Sequence, residues 1–200
     1  MAEIKTERLV MRGWRESDLA PWAAMNADPE VRQYVGPLLT FEQAAAWVLN
    51  FQDDLDRYGF GFWALEVRAS GEFIGFTGLR TMDEDMPFAG VELGWRLARP
   101  AWGHGYATEA ARAALAYGFD ILGLPEVVAV TMAANLRSQA VMRRIGMTRD
   151  PAEDFDDPDV AEGAHRRHVV YRKRRDPETS RVTARGQDGM KSGRAGLFGA

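Results

Sequence analysis

One stretch of the chain, residues 91–121, constrains the fold more than any other. It reads V-E-L-G-W-R-L-A-R-P-A-W-G-H-G-Y-A-T-E-A-A-R-A-A-L-A-Y-G-F-D-I, which is a strand with alternating apolar positions, a glycine-bearing turn and a long alanine-rich helix. A turn at a helix N-terminus directs several backbone N–H groups toward one point, which suits a phosphate or pyrophosphate. Gly103 and Gly105 let the backbone approach a ligand that a Cβ would keep away. The stretch therefore predicts a phosphate-bearing ligand held by residues 102–108.

Bulk composition excludes several classes of protein. A chain of 200 residues is long enough for one domain with a real core. The net charge of −4 disfavours a general nucleic-acid binder. Because there is no cysteine, disulfides, thiolate metal sites and a cysteine nucleophile are excluded. No signal segment and no apolar run approaching the ~20 residues of a membrane span are found, so we expect a cytoplasmic protein without a membrane partner. The expected oligomeric state is a monomer or a homodimer.

Apolar periodicity and turn residues divide the chain into alternating helices and strands. Thr40 and Gln43 stand at the spacing of a capping box, and Gly59 is a typical helix stop. Ser70-Gly71 predicts a hairpin turn. Helices are expected at about 17–25, with Ser17 or Asp18 as the cap, at 28–30, 40–59, 107–121 and 138–145, and strands at 6–14, 60–67, 73–79, 91–97, 127–132, 147–149 and 169–172.

The ordered part of the chain is predicted to be one domain, residues 6–175. A polar, acidic segment at 150–163 separates its last two strands. From 176 to 200, glycine, arginine and serine dominate and the periodicity disappears, which predicts a disordered tail.

Five pieces of sequence, in this order and spacing, resemble a known family. They are T-E-R-L-V-M-R from Thr6, D-P-E-V from Asp28, E-L-G-W from Glu92, W-G-H-G-Y-A-T-E-A from Trp102 and N-L-R-S-Q-A-V-M-R-R-I-G-M from Asn135. Together they resemble the GNAT superfamily of acetyl-coenzyme-A-dependent N-acetyltransferases, and within it the Rim-type branch, named for enzymes that acetylate ribosomal-protein N-termini. The resemblance implies an α/β fold with a mixed, mainly antiparallel twisted sheet of about six or seven strands and about four helices. It also implies a splay between the strand of Glu92 and the strand of Met132.

The same resemblance implies acetyl-coenzyme A as co-substrate, with its pyrophosphate on the backbone N–H groups of the glycine-bearing loop and its pantetheine arm in the splay. The family loop usually begins with glutamine or arginine, and Trp102 departs from that pattern. The side chain of His104 is expected to point outward, into solvent. The cofactor-binding residues implied are Leu97, Trp102, Gly103, His104, Gly105, Tyr106, Ala107, Thr108, Asn135 and Ser138.

Two residues are candidates for catalysis. Glu92 alternates with the apolar positions of its strand and is the candidate general base, acting through water; alternatively, it is a surface carboxylate facing solvent or an arginine. Many family members carry a tyrosine as general acid where this chain has Met142, which leaves Ser138 or a water for that role. Asn135 and Ser138 could equally do no more than cap a helix. Neither a metal nor a covalent enzyme intermediate is implied.

Several other residues are weaker candidates for binding the coenzyme or the acceptor, and most of them could instead have a purely structural role. Three arginines could meet the ribose phosphate of the coenzyme: Arg99, Arg143 and Arg144. Arg143 and Arg144 could equally be the polar face of an amphipathic helix. Four aromatic residues could line an acceptor pocket or belong to the core: Tyr34, Trp47, Tyr58 and Trp63. The acidic runs at 83–85 and 150–162 could attract a cationic amine or be solvated loops. The His-Arg-Arg-His run at 165–168 has no zinc-site spacing.

The residues and the resemblance together favour an N-acetyltransferase in which a primary amine attacks the thioester directly. The acceptor could be a protein N-terminus, an amino acid, a polyamine or a small amine such as an antibiotic. The alternative is a non-catalytic module that senses acyl-coenzyme A or holds a partner. A dinucleotide-binding oxidoreductase is excluded because the chain has no G-x-G-x-x-G near its N-terminus.

Overall fold

The computed structural model describes residues 3–82, 87–158, 160 and 166–176. Its helices begin and end largely where local signals predict. Thr40 accepts a hydrogen bond from the N–H of Gln43, whose side chain bonds back to the N–H of Thr40, and Gly59 ends the helix with φ 75°. The helices are α1 (Leu19–Asn26), α2 (Pro29–Arg32), α3 (Phe41–Tyr58), α4 (Tyr106–Ala116) and α5 (Leu136–Arg144), and α4 continues into a π-helical turn at Tyr117–Ile121.

A single sheet runs through the described residues. Its strands are β1 (Ile4–Lys5), β2 (Leu9–Arg12), β3 (Phe62–Val67), β4 (Phe73–Thr81), β5 (Val91–Leu97), β6 (Glu126–Met132), β7 (Thr148–Arg149), β8 (Phe155–Asp156) and β9 (Arg167–Arg174). The order is β1-β2-β3-β4-β5-β6-β9-β7, with β8 also paired to β9. All pairs are antiparallel except β5 with β6. The predicted mixed, mainly antiparallel fold is confirmed.

The predicted splay is also present. Strands β5 and β6 are in register only at Glu92 and Val128, near the beginning of each strand. Beyond that point the two strands part, so the carboxyl end of β5 has no strand partner on its β6 side. On its other side, β5 pairs with β4 along its whole length, from Val91 to Leu97.

The core has two parts, one on each face of the sheet. The larger cluster packs α4 and α5 against the sheet through alanine, leucine and valine side chains, among them Ala110, Ala114, Leu93 and Val127. The second cluster, beneath α1 and α3, is aromatic. Its rings meet at centroid distances of 4.7 to 6.0 Å, mostly edge-on or tilted, as aromatic pairs prefer, and they belong to Trp22, Phe51, Phe62 and Phe76.

A buried ion pair ties β2 to the start of α1. Asp18 accepts hydrogen bonds from Arg12 at 2.7 and 3.0 Å, and the side chains are only 2% and 3% exposed. Arg12 also donates to Glu66 at 2.8 Å. Burial lowers the pKa of Arg12, but the hydrogen bonds that Arg12 donates to these two carboxylates outweigh it and leave that pKa above its ordinary value. The charge is therefore fully compensated inside the fold.

Several local predictions are wrong in detail. Asp18 makes no side-chain cap to α1, because Arg12 and the N–H of Arg15 take its oxygens. The strand expected at 6–14 is shorter, Leu9–Arg12, because Thr6 closes a turn by exchanging hydrogen bonds with Leu9, and the short β1 precedes that turn. Within the described residues the sheet has nine strands instead of six or seven, the additional ones being two-residue strands, and the helices include the short α2. The predicted tail from 176 onward lies, except for Asp176, outside the described residues.

No helix among the described residues has both the length and the apolar character that a membrane crossing requires.

Candidate active site

A cavity of about 1320 Å³ lies beside the carboxyl end of β5, where that strand has parted from β6. Its walls come from residues 6–8, the end of β5, the loop of residues 98–105, the first turns of α4, one side of α5, and α2 with the residues that follow it. The residues predicted to bind cofactor that line this cavity are Leu97, Trp102, Gly103, Gly105, Tyr106, Ala107, Thr108, Asn135 and Ser138. Leu97 and Ser138, which are 41 positions apart in sequence, thus meet around one space.

The glycine-bearing loop enters α4 through two left-handed residues. Gly103 and Gly105 both have φ 81°, a conformation that side-chain-bearing residues rarely adopt, and Gly105 is the N-cap of α4. The first N–H groups of α4 have no acceptor within the helix. They lie in the residues that line the cavity. The loop can therefore bind an anion through backbone alone.

The loop is held in place by Trp102. Its indole Nε1 donates to the carbonyl oxygen of Leu97 at 2.8 Å, which ties the loop to the end of β5. The guanidinium of Arg137, from α5, lies 4.7 Å from the centre of the Trp102 ring. A residue that departs from the family pattern thus connects the loop with β5 and α5.

Glu109 and Arg8 form a clamp around the same loop, which sequence reasoning missed. Glu109 accepts hydrogen bonds from the Thr6 hydroxyl at 2.6 Å, from the Arg8 N–H at 2.8 Å and from the Arg8 Nε at 2.7 Å. Arg8 also donates to the carbonyl oxygen of His104 at 3.0 Å and lies over the ring of Tyr106. The partners are 101 residues apart, so no local pattern could have revealed them.

The clamp predicts a pH dependence of stability. Partial burial raises the pKa of Glu109, but hydrogen bonds from Thr6 and Arg8 outweigh it and hold that pKa below the ordinary 4.5. Ionised Glu109 therefore stabilises the fold at pH values above 4.5, and this contribution is lost as pH falls through the lower pKa of the folded state. We expect Glu109→Gln to be less stable than the parent at neutral pH and the difference to shrink in acid, measured by urea unfolding.

The matched control is Glu72→Gln, in the exposed turn between β3 and β4. Its stability should follow the parent at every pH. A stability difference for Glu109→Gln that stays constant from neutral pH down to acid would contradict the clamp.

The loop end of the cavity is rich in arginine. Arg112, Arg137 and Arg144 line it together with Arg8. Of the three arginines considered from sequence for the ribose phosphate, only Arg144 lines the cavity. Arg99 binds Glu30 and lies near Asp28, and Arg143 donates to the hydroxyl of Tyr171 at 3.2 Å. The anion-binding capacity of this end therefore comes from α4, α5 and the clamp.

Asn135 and Ser138 line the cavity, and Asn135 is also the N-cap of α5. The Asn135 side-chain oxygen accepts from the N–H of Ser138 at 3.2 Å, and its Nδ2 donates to the Thr131 hydroxyl at 3.0 Å. Met142, where a tyrosine is common in the family, is 1% exposed and belongs to the core. Capping is thus present, and it holds Asn135 and Ser138 at the cavity wall.

Glu92 and His104 are not among the residues that line the cavity. Glu92 lies where β5 still pairs with β6, opposite Arg80 on the other side, and it shares a strand face with Gly94 and Arg96. His104 is exposed, and its ring stacks on Tyr106 at 5.6 Å. The geometry therefore separates these two residues from the group that surrounds the cavity.

Of the four aromatic residues considered for the acceptor pocket, Tyr34 lines the cavity. Trp47 packs on Phe51, and Trp63 is 1% exposed and packs on Tyr117. Tyr58 is 58% exposed at the end of α3. The acidic run 83–85, part of 150–162 and the histidine at 165 lie outside the described residues. Within the described part, no group of three or more histidine, aspartate or glutamate side chains could hold a metal ion.

Comparison with known proteins agrees with this geometry. The family model described as "Acetyltransferase (GNAT) domain" matches residues 8–148. The chain is 33% identical to the uncharacterized protein YkkB of Bacillus subtilis (strain 168) over 146 residues, which are 72% of this chain and 84% of YkkB. It is 37% identical over 134 residues to FsC-acetyl coenzyme A-N(2)-transacetylase of Aspergillus fumigatus, covering 62% of this chain and 55% of that protein.

Solved structures of Rim-type enzymes share the fold. RimL, a ribosomal L7/L12 alpha-N-protein acetyltransferase solved in complex with coenzyme A, superposes with a TM-score of 0.71 at 15% identity, over 86% of this chain and 98% of RimL. The family match spans most of the described chain, including the loop and both sides of the splay. The chain belongs to the GNAT family of acetyltransferases.

Proposed function

We propose that this enzyme transfers the acetyl group of acetyl-coenzyme A to a primary amine by direct attack within a ternary complex. The observation that carries the proposal is that an anion-binding loop and the end of β5 that has parted from β6 meet around one cavity. Two similar proteins support it by their descriptions. One is an acetyl-coenzyme A transacetylase, and the other was solved with coenzyme A bound.

The cavity suits the coenzyme at its loop end. An ideal Cβ at Gly103 would meet no protein atom within 4 Å, so that side of the loop is open to a ligand. The N–H groups of residues 103–108 would bind the pyrophosphate, and Arg112, Arg137 and Arg144 supply positive charge for the remaining phosphate. The pantetheine arm would then run along the end of β5 toward Leu97.

Transfer requires a neutral amine, a polarised thioester carbonyl and a stabilised thiolate. Holding both substrates in one cavity can lower the activation barrier by about 7–11 kcal/mol, so few catalytic groups are needed. Glu92 lies on β5 but is not among the residues that line the cavity, so a water would carry the amine proton to it. Ser138, at the cavity wall, would supply the proton that the leaving thiolate accepts.

The test of the proposal is calorimetric titration with acetyl-coenzyme A, repeated with desulfo-coenzyme A. Micromolar binding of both is expected, followed by thiol release when a suitable amine is added. Absence of binding by the folded protein would remove the proposal.

Replacing Glu92 with glutamine tests the general base. A base positioned for proton transfer contributes about 10²–10⁴-fold, so turnover should fall by about 100-fold or more, with the largest effect below the pKa of the amine. Affinity for acetyl-coenzyme A should not change. Glu42→Gln, on the exposed first turn of α3, serves as the control and should match the parent. A Glu92→Gln variant whose rates equal those of the parent across pH would exclude the assignment.

A further inference from the structure

Arg96 is a charged residue of the cavity wall that the proposed coenzyme site does not use. It lines the cavity near Val31 and Tyr34, and it immediately precedes Leu97 on β5. The sequence analysis gave it no role. The pantetheine arm is proposed to run toward Leu97, so Arg96 belongs to the part of β5 that the acetyl group would approach.

The surroundings of Arg96 are aromatic. Its guanidinium carbon lies 5.6 Å from the ring centre of Trp22 and 5.5 Å from those of Trp47 and Phe76. Arg96 donates one hydrogen bond, from Nη1 to the side-chain oxygen of Asn26 at 2.8 Å, while its buried Nε has no partner. A planar cation held between rings keeps its donors in a fixed orientation.

A second arginine shares the same oxygen. Arg32 donates from Nη1 to the Asn26 side-chain oxygen at 3.3 Å, and it is 4% exposed. Burial, and the positive charge of Arg32, lower the pKa of Arg96 to about 9. Two guanidinium groups thus converge on one neutral amide.

No carboxylate within the described residues forms an ion pair with either guanidinium. Glu30, which lines the same end of the cavity, is bound to Arg99. Arg12 provides a contrast, because that arginine is as buried as Arg32 but is paired with Asp18 and Glu66. A buried charge without a counter-charge is costly, and the fold keeps one next to an open cavity.

We propose that Arg96, supported by Arg32, binds the carboxylate of the acceptor, and that the acceptor is therefore a free amino acid. An arginine fork binds a carboxylate through two parallel hydrogen bonds and so fixes its orientation. This proposal rests on the proposed function and names the acceptor class for it. The amine nitrogen forms a bond to the acetyl carbon, the carbon–sulfur bond breaks, the amine proton leaves to the base and the thiolate is protonated.

The carboxylate site can be tested by binding, independently of turnover. Trp22 and Trp47 flank Arg96, so their fluorescence should change when the site is filled. We would titrate the protein amino acids one by one, with and without desulfo-coenzyme A, and then the carboxamide of each amino acid that binds. At least one amino acid should bind, and its carboxamide should bind at least tenfold more weakly. If no amino acid binds, or if acid and amide bind equally, the proposal is overturned.

Variants locate the site. Arg96→Met keeps an apolar stem and removes the charge, and it should abolish the preference for acid over amide without changing acetyl-coenzyme A affinity. Arg96→Lys keeps the charge without the fork and should retain part of the preference, which guards against a misfolded methionine variant. Arg57→Met, on the exposed end of α3, is the charge-matched control and should behave as the parent. Arg96→Met that retains the full preference overturns the proposal.

The two proposals can fail separately. Loss of acetyl-coenzyme A binding with amino-acid binding intact would remove the proposed function and leave the carboxylate site. The reverse result would leave an acetyltransferase with a different acceptor.

Discussion

Replacing Gly105 with valine is expected to weaken acetyl-coenzyme A binding by a factor of about 100 or more. Gly105 has φ 81° and caps the helix whose first N–H groups line the cavity, so a β-branched residue forces this turn into another conformation. A hydrogen bond to a charged group contributes about 1.5–3 kcal/mol. Loss of one or two such bonds accounts for a hundredfold change, about 2.7 kcal/mol. Calorimetric titration measures the effect directly.

Gly123 provides the matched control for backbone strain. It also has a left-handed conformation, φ 69°, an ideal Cβ there would meet no atom within 4 Å, and it does not line the cavity. The left-handed conformation costs a side-chain-bearing residue about 1–2 kcal/mol. Gly123→Val should therefore lose similar stability while binding acetyl-coenzyme A normally. Normal binding by Gly105→Val would show that the loop does not hold the coenzyme.

Removing the carboxylate of Asp18 is expected to lower the free energy of unfolding by about 3–5 kcal/mol, because breaking a buried ion pair leaves a charge without its partner. Arg12 would keep only Glu66, and Asp18 also holds the N–H of Arg15. Urea unfolding of Asp18→Ala measures the loss.

The control for that measurement is an exposed pair. Asp53 and Arg57 lie 3.6 Å apart on α3 with side chains 64% and 67% exposed, where ion pairs contribute about 0.2–1 kcal/mol at most. Asp53→Ala should thus change stability by less than about 1 kcal/mol. An equal loss in both variants would mean that the buried pair contributes nothing beyond a surface contact.

The elements that sequence predicted well depend on neighbours in the chain. The capping box of Thr40 and Gln43, the stop at Gly59 and the turn at Gly103 and Gly105 are all local. Asp18 shows the limit of such reasoning. It has the residue type of a helix cap, but Arg12, from a neighbouring strand, takes its oxygens.

The candidate site shows the same division. The loop and the cap at Asn135 could be predicted because each is a short motif with a backbone function. Arg8 and Glu109, and likewise Arg96 and Asn26, pair across long separations in sequence, and no periodicity connects them. The role of Glu92 as general base remains a prediction. It was chosen from its position on the strand, and the alternation of a single strand does not show which elements lie on either face.

The parting of β5 from β6 has a consequence for stability. The sheet has two parts, β1–β5 and β6–β9, which are joined where Glu92 of β5 pairs with Val128 of β6. A pantetheine arm lying in that gap would contact both parts of the sheet. A ligand present at 100 times its Kd adds about 2.7 kcal/mol to the free energy of unfolding. Loading the acetyl donor should therefore stabilise the enzyme before the acceptor arrives.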